Sequence, residues 1–324
     1  TSAIIEGLNK KGIGFGLTGI GYDGELLDNV TGLPKPRLTL LPGQLVATAE
    51  RCLKASTAKL EVFKTTDIIT PLGKVLYCRV KEKGQVLIAG PNKSKELKRV
   101  IADLKNEGTE LILVDGALNR MAPMVATDGF ILATGAARQP DIDRLVLETK
   151  AISQICELKP YIGPSLKDYG SVTFITRTGE PKASPVAFLF NKNDVKELAS
   201  YWQNESLAIY IPGVVGEKCW PDLVKLILAQ EQKPTLIFQD PIKILIAGNF
   251  TKSYNHLKLL IKHGVQVSVE QPVKLFAVTV NPFYPKYRYE ASDYEPAYID
   301  KTKLLNEFKN QIRIPVFDVL QDRG

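Results

Sequence analysis

The chain has 324 residues, of which 44% are apolar and 24% charged, so it has room for one large or two ordinary folded domains and no composition that suggests disorder. No run approaches roughly 18 uninterrupted apolar residues and the start lacks the basic-then-apolar order of a signal peptide. The sequence therefore predicts neither a membrane span nor export, and places the protein in the cytoplasm. The net charge of +7 suits an anionic partner such as a nucleotide, but lysines such as Lys93, Lys95 and Lys98 are scattered and no basic run is interleaved with aromatics, so nucleic acid is not expected. Cys52, Cys78, Cys156 and Cys219 are too dispersed for a close-spaced zinc site and read as reduced core thiols.

The first residues carry a helical pattern, with Ile4, Ile5 and Leu8 on one face and Thr1 or Ser2 as N-cap. Gly12 ends that helix, and residues 13–20 read as a strand running into Gly21-Tyr22-Asp23-Gly24-Glu25. Between residues 33 and 85, Pro and Gly punctuate short strand candidates at 37–41, 45–49, 60–65 and 74–80, an antiparallel β-rich insertion. Residues 86–89 form the next strand candidate, and Ser94 caps a helix to about Lys105. Residues 111–114, Leu-Ile-Leu-Val, have no polar face and predict a strand in the middle of a parallel sheet covered by helices on both sides. Asp115 stands at the carboxyl end of that strand, where ligands of open α/β sheets bind, and Gly116 lets a ligand approach the backbone. Asp-Gly is also a common turn dipeptide.

Residues 130–133 make another strand, ending in Thr134-Gly135-Ala136-Ala137-Arg138, and Asp141 opens a helix to about Leu158. Further strand candidates lie at 172–176, 186–190, 207–211, 235–238, 243–247, 275–280 and 316–319, while 284–298, with five tyrosines, reads as an ordered surface loop. The sequence thus predicts a nucleotide-binding-like α/β lobe at 1–155, holding the insertion 33–85, and a second α/β lobe at 156–324.

A helix opening with Thr-Ser, then Lys-Lys-Gly, a strand and Asp-Gly-Glu, is the order that follows a phosphate-binding loop. There a hydroxyl binds magnesium and the helix amino end holds phosphate. Thr1 would supply the hydroxyl, with Ser2 beside it, while the glycines and lysine of the loop would precede Thr1 and are not in this sequence. Phosphoryl chemistry also needs carboxylates around magnesium and a cation for developing charge. Asp23 and Asp115 are the catalytic candidates and, with Thr1, the metal ligands. Glu25, Gly116, Arg138 and Asn281 are further nucleotide contacts. Arg120 is a second candidate cation. Arg138 also reads as a surface arginine paired with Asp141 or Asp143, and Asn281 as a residue that bonds its own turn. No Gly-x-Ser-x-Gly elbow is present, and Gly12-Ile13-Gly14-Phe15-Gly16 enters a strand instead of following one, which excludes it as a dinucleotide fingerprint.

The residues 16–25 (GLTGIGYDGE), Leu33-Pro34-Lys35-Pro36, Ala47-Thr48-Ala49, Val114-Asp115-Gly116-Ala117, residues 133–137 (ATGAA), residues 278–282 (VTVNP) and residues 315–319 (PVFDV) resemble the smaller subunit of the lysine 5,6-aminomutase reactivase. The resemblance covers most of the chain through short motifs. It implies a P-loop NTPase-like fold of dethiobiotin synthetase plan that binds ATP with Mg2+. It also implies partners, a larger MutS-like ATPase subunit and an adenosylcobalamin-dependent aminomutase that the oligomer reactivates by releasing inactivated cobalamin. An ATP-dependent ligase of dethiobiotin synthetase type and a non-catalytic protein-docking module are the alternatives.

Overall fold

In the computed structural model, which describes residues 1–21, 38–116, 120–202, 206–246, 248–290 and 292–319, the first helix spans Ser2–Lys10 (α1). It stops where Gly12 takes the left-handed backbone at φ 65°. The protein is α/β with sheets that mix parallel and antiparallel pairing. It divides into two compact units, Thr1–Thr127 with Tyr287–Glu295, and Asp128–Lys286 with Pro296–Gly324.

In the first unit, β1 (Phe15–Gly19) is followed by β2 (Leu38–Leu40), β3 (Leu45–Ala49), α2 (Glu50–Ala55), β4 (Lys59–Thr70), β5 (Gly73–Glu82), β6 (Gly84–Val86), α3 (Ser94–Asn106) and β7 (Leu111–Asp115). The main sheet runs β4-β5-β3-β1-β7, with β3 and β7 parallel to β1, and β5 antiparallel to both β3 and β4. Its two faces follow the period of two along each strand. Val46, Leu76 and Cys78 pack with Phe15, Leu17 and Ile5 of α1, whereas Leu45, Ala47 and Tyr77 pack with Val100 and Leu104 of α3.

Two expectations change here. The strand at 45–49 does not belong to a separate antiparallel insertion. It is the parallel neighbour of β1 and joins β4 and β5 to the main sheet. The apolar strand at 111–114 is not central either, because among the described residues β7 closes the five-stranded order and pairs with β1 alone. Residues 112–115 are half-buried and Leu111 is exposed, as befits the edge position β7 holds among the described residues.

The second unit comprises β8 (Gly129–Gly135), α4 (Ile142–Cys156), β9 (Lys159–Pro160), β10 (Thr173–Thr176), β11 (Pro181–Ala183), α5 (Lys192–Ser200), β12 (Ser206–Ile211), α6 (Trp220–Leu228), β13 (Thr235–Phe238), α7 (Pro241–Leu245), α8 (Phe250–Lys262), β14 (Val267–Val269) and β15 (Lys274–Asn281). The hairpin β16 (Phe283–Arg288) and β17 (Asp293–Tyr298), then α9 (Lys301–Gln311) and β18 (Val316–Phe317), complete the chain order. One sheet runs β11-β10-β12-β13-β14-β9 with β12, β13, β14 and β9 parallel, and a second, β18-β15-β8, is parallel throughout.

Three readings of this half are corrected. Of residues 243–247, read as a strand, 243–245 fall in helix α7 and 247 lies outside the described residues; the Asp240 carboxylate accepts the Lys243 N–H at 3.0 Å and Pro241 pre-sets the first turn. Residues 186–190 make only an isolated bridge, Leu189 with Val215, and leave Phe188 and Phe190 exposed. The tyrosine segment is a hairpin, in which Arg288 pairs with Asp293 and Tyr287 packs edge-on against Tyr289 and Tyr294.

All four cysteines are free, and burial pushes the Cys78 and Cys219 thiols up to about 11 and Cys156 up to about 12, which keeps them protonated and unreactive at neutral pH. Burial also holds the His256 imidazole, stacked flat on Trp220, below its ordinary pKa of 6.5. The unfolded chain therefore binds this proton first, so stability linked to His256 is complete above pH 6.5 and declines as pH falls below it. Urea midpoints taken at about pH 7.5 and about pH 5.5 should show a smaller fall in His256→Gln than in the wild type. An equal fall in both proteins would assign the effect to other groups.

Candidate functional site

The carboxyl ends of β1 and β7 lie level, with Gly19 opposite Asp115, and the Ile20 N–H donates to the Asp115 carbonyl at 2.7 Å. The segment after β6 crosses the same edge. Thr48 of β3 anchors it, its hydroxyl donating to the Leu87 carbonyl and accepting the Ala89 N–H, both at 3.0 Å. Gly90 then donates to the Gly21 carbonyl at 2.9 Å, and Gly21 to the Pro91 carbonyl at 3.2 Å. This close crossing requires glycine. A Cβ at Gly90 would stand 2.0 Å from the Gly19 carbonyl oxygen, and Gly21 sits at φ 67° with the Asn92 amide oxygen and the Arg120 guanidinium against it.

Thr1 reaches this edge from the amino end of α1. Its hydroxyl makes no capping bond to its own helix and donates instead to the Asp115 carboxylate. Two candidates 114 positions apart are thus joined by a hydrogen bond, one at a helix N-terminus and one at a strand carboxyl end. Ser2 is the first residue of α1 and is exposed, so the amides of the first turn lie beside this contact. Gly116 follows Asp115, and a Cβ there would meet only the movable Ile20 side chain at 3.1 Å. Asp23 and Glu25, the other carboxylates proposed for the site, lie outside the described residues. Among the described residues no group of three or more His, Cys, Asp and Glu could hold a metal ion.

Arg138 and Asn281 belong to the second unit. Arg138 follows the carboxyl end of β8, and its partner is Glu148 of α4, not Asp141 or Asp143. Donating to the Glu148 carboxylate raises the Arg138 guanidinium pKa further and keeps it charged. Asp141 serves as N-cap of α4 and accepts the Arg144 N–H at 3.1 Å. Asn281 lies level with Gly135 at the end of β15, and its side-chain oxygen accepts the Phe283 N–H at 3.0 Å, the turn bond that Asn-Pro exits commonly make.

Gly90, Asn92 and Arg120 complete the edge in the first unit. The signal that identifies Gly90 and Asn92 in sequence is a glycine followed by Pro-Asn just past a strand candidate. Among the described residues no helix is long and apolar enough to cross a membrane. No protein-family model matches the sequence, and no curated protein or solved structure matches it significantly.

Proposed function

We propose that this chain is a nucleotide-binding subunit of P-loop NTPase-like type that handles ATP with magnesium and serves as a reactivation chaperone for an adenosylcobalamin-dependent aminomutase. The observation that supports the reading is the hydrogen bond from the Thr1 hydroxyl to the Asp115 carboxylate. A hydroxyl at a helix amino end next to a carboxylate at a strand carboxyl end is the oxygen pair that suits a hard cation bound to nucleotide phosphates. Thr1 and Asp115 would hold the magnesium ion, which neutralises charge developing on the phosphates. Asp23 is proposed as a further ligand from its place in sequence. The first turn of α1, not capped by Thr1, leaves amides for the phosphate itself. The partners, a larger MutS-like ATPase subunit and the cobalamin enzyme, rest on the family resemblance alone.

A second reading, a docking module without catalysis, draws on the β16–β17 hairpin, where Tyr289 is 88% exposed and packs on Tyr287, which also meets Tyr294. Calorimetric titration of magnesium-ATP into this chain, and into a form lengthened upstream of Thr1, separates the two. Asp115→Asn is expected to weaken binding about tenfold to a hundredfold, the usual cost of removing a group that holds a metal in place. If neither form takes up ATP or GTP, the nucleotide reading is wrong and the docking reading replaces it. If turnover instead requires a small carboxylate or amine, the site is that of a ligase.

A further inference from the structure

In the second unit, a cleft with about 350 Å³ of room opens where the loop after β8 meets α4 and the amino end of α8, enough space for one small ligand. Its polarity follows from which groups are already engaged. The Gln139 side-chain oxygen accepts the Asp141 N–H at 3.1 Å, and the Asn249 side-chain oxygen accepts the Lys252 N–H at 3.0 Å. Each amide oxygen is thus turned toward the backbone, and each side chain keeps its NH2 donor pair for a ligand. Glu148 takes N–H groups from Nε and Nη2 of Arg138, so about three of the five guanidinium donors remain. That guanidinium also lies over the Phe250 ring, 5.9 Å from its centroid, so it is held from two sides before any ligand arrives.

Arg144 is less engaged. Its contact with Asp141 is 3.6 Å long and its side chain is 76% exposed. Thr251 adds a hydroxyl to the lining, and α8 brings the positive end of a 13-residue helix. The cleft is thus rich in donors, and its one lining carboxylate, Glu148, is already neutralised by Arg138.

We infer that this cleft is an anion site that takes the phosphate group of a small phosphorylated ligand, gripped by Arg138 and Arg144 with the amides of Gln139 and Asn249 and the amino end of α8. Phosphate fits better than carboxylate. Its three terminal oxygens can satisfy donors converging from several sides, and two guanidinium groups with a helix amino end are a characteristic phosphate environment. The inference stands apart from the nucleotide reading of Thr1 and Asp115.

The test is calorimetric titration of inorganic phosphate into the full chain at constant ionic strength, with acetate as the carboxylate control. Saturable uptake of one phosphate per chain is expected. Arg144→Ala, an exposed change that should leave folding intact, is expected to weaken it about tenfold. Glu148→Gln removes a competing acceptor and a negative charge and should tighten it, while Asp115→Asn should leave it unchanged. Saturation at one phosphate per chain, which general screening of surface charge does not produce, marks a specific site, and the two cleft variants place it. Uptake that does not saturate, or that neither Arg144→Ala nor Glu148→Gln alters, overturns the proposal. Acetate binding as tightly as phosphate overturns the assignment to phosphate.

Discussion

Gly90→Ala is expected to lower the stability of the first unit by about 3 kcal/mol, the upper part of the range for overpacking, and to loosen the Thr1–Asp115 contact as it does so. The added methyl group would stand 2.0 Å from the Gly19 carbonyl oxygen and 3.1 Å from the Gly19 nitrogen. Both are backbone atoms of β1, so no side chain can rotate to relieve the contact and a strand end has to move. Gly19 pairs with Asp115, and Ile20 donates to the Asp115 carbonyl, so the displacement passes directly to the carboxylate that Thr1 holds. Gly21→Ala is the comparison, because its new methyl group would press mainly on the Asn92 side-chain oxygen at 2.3 Å, which can swing away. The left-handed backbone of Gly21 then sets its cost at about 1 kcal/mol. Urea midpoints give the ranking, and amide exchange at Ile20 and Gly21 shows whether the strand end has moved. A Gly90→Ala protein as stable as Gly21→Ala would mean that the two chain segments do not cross this closely.

The elements that periodicity identified well were those with one dominant signal. The first helix has an apolar face and a glycine stop, and the helix opened by Asp141 has a side-chain cap. The strand at 235–238 is a short apolar run with no polar interruption, and β13 covers the same residues. Where reading failed, two signals competed. Residues 243–247, Lys-Ile-Leu-Ile-Ala, have apolar, β-branched character, but Asp240-Pro241 just ahead of them supplies a cap and a fixed first turn, and the helix wins. Sheet order is not written in local pattern at all. The run at 111–114 is apolar enough for a central strand, and nothing in it reveals that β7 ends the sheet formed by the described residues.

The candidate site was legible in part for the same reason. Strand-end chemistry marked Asp115, and helix-start chemistry marked Thr1. That one reaches the other over 114 positions depends on tertiary packing, as does the seating of Arg138 between Glu148 and Phe250. A guanidinium next to Asp141 and Asp143 in sequence finds its partner on the second turn of α4 because residues on that helix face, not chain neighbours, come within reach.

The largest loss of stability in the second unit is expected from Trp220→Ala, about 3–5 kcal/mol. The indole is fully buried at the start of α6, with Phe238 of β13 and His256 of α8 each 6.0 Å from it, centroid to centroid. Truncation therefore opens a cavity where two helices and a strand meet. Trp220→Phe should cost far less than the difference in buried area implies. The indole Nε1–H is buried with no hydrogen-bond acceptor among the described residues, and a phenyl ring removes that unsatisfied donor, whose burial costs about 1–3 kcal/mol. A loss near 1 kcal/mol is the expected net result for phenylalanine. The alanine variant carries a second readout, because removing the indole lets water reach His256 and brings its pKa back up toward 6.5, which abolishes that residue's share of the acid sensitivity. Denaturation midpoints of the two variants, with an NMR titration of His256 in each, decide the matter. If Trp220→Phe proves as costly as Trp220→Ala, the Nε1–H has an acceptor in the folded protein, and the account of the indole as an unsatisfied donor fails.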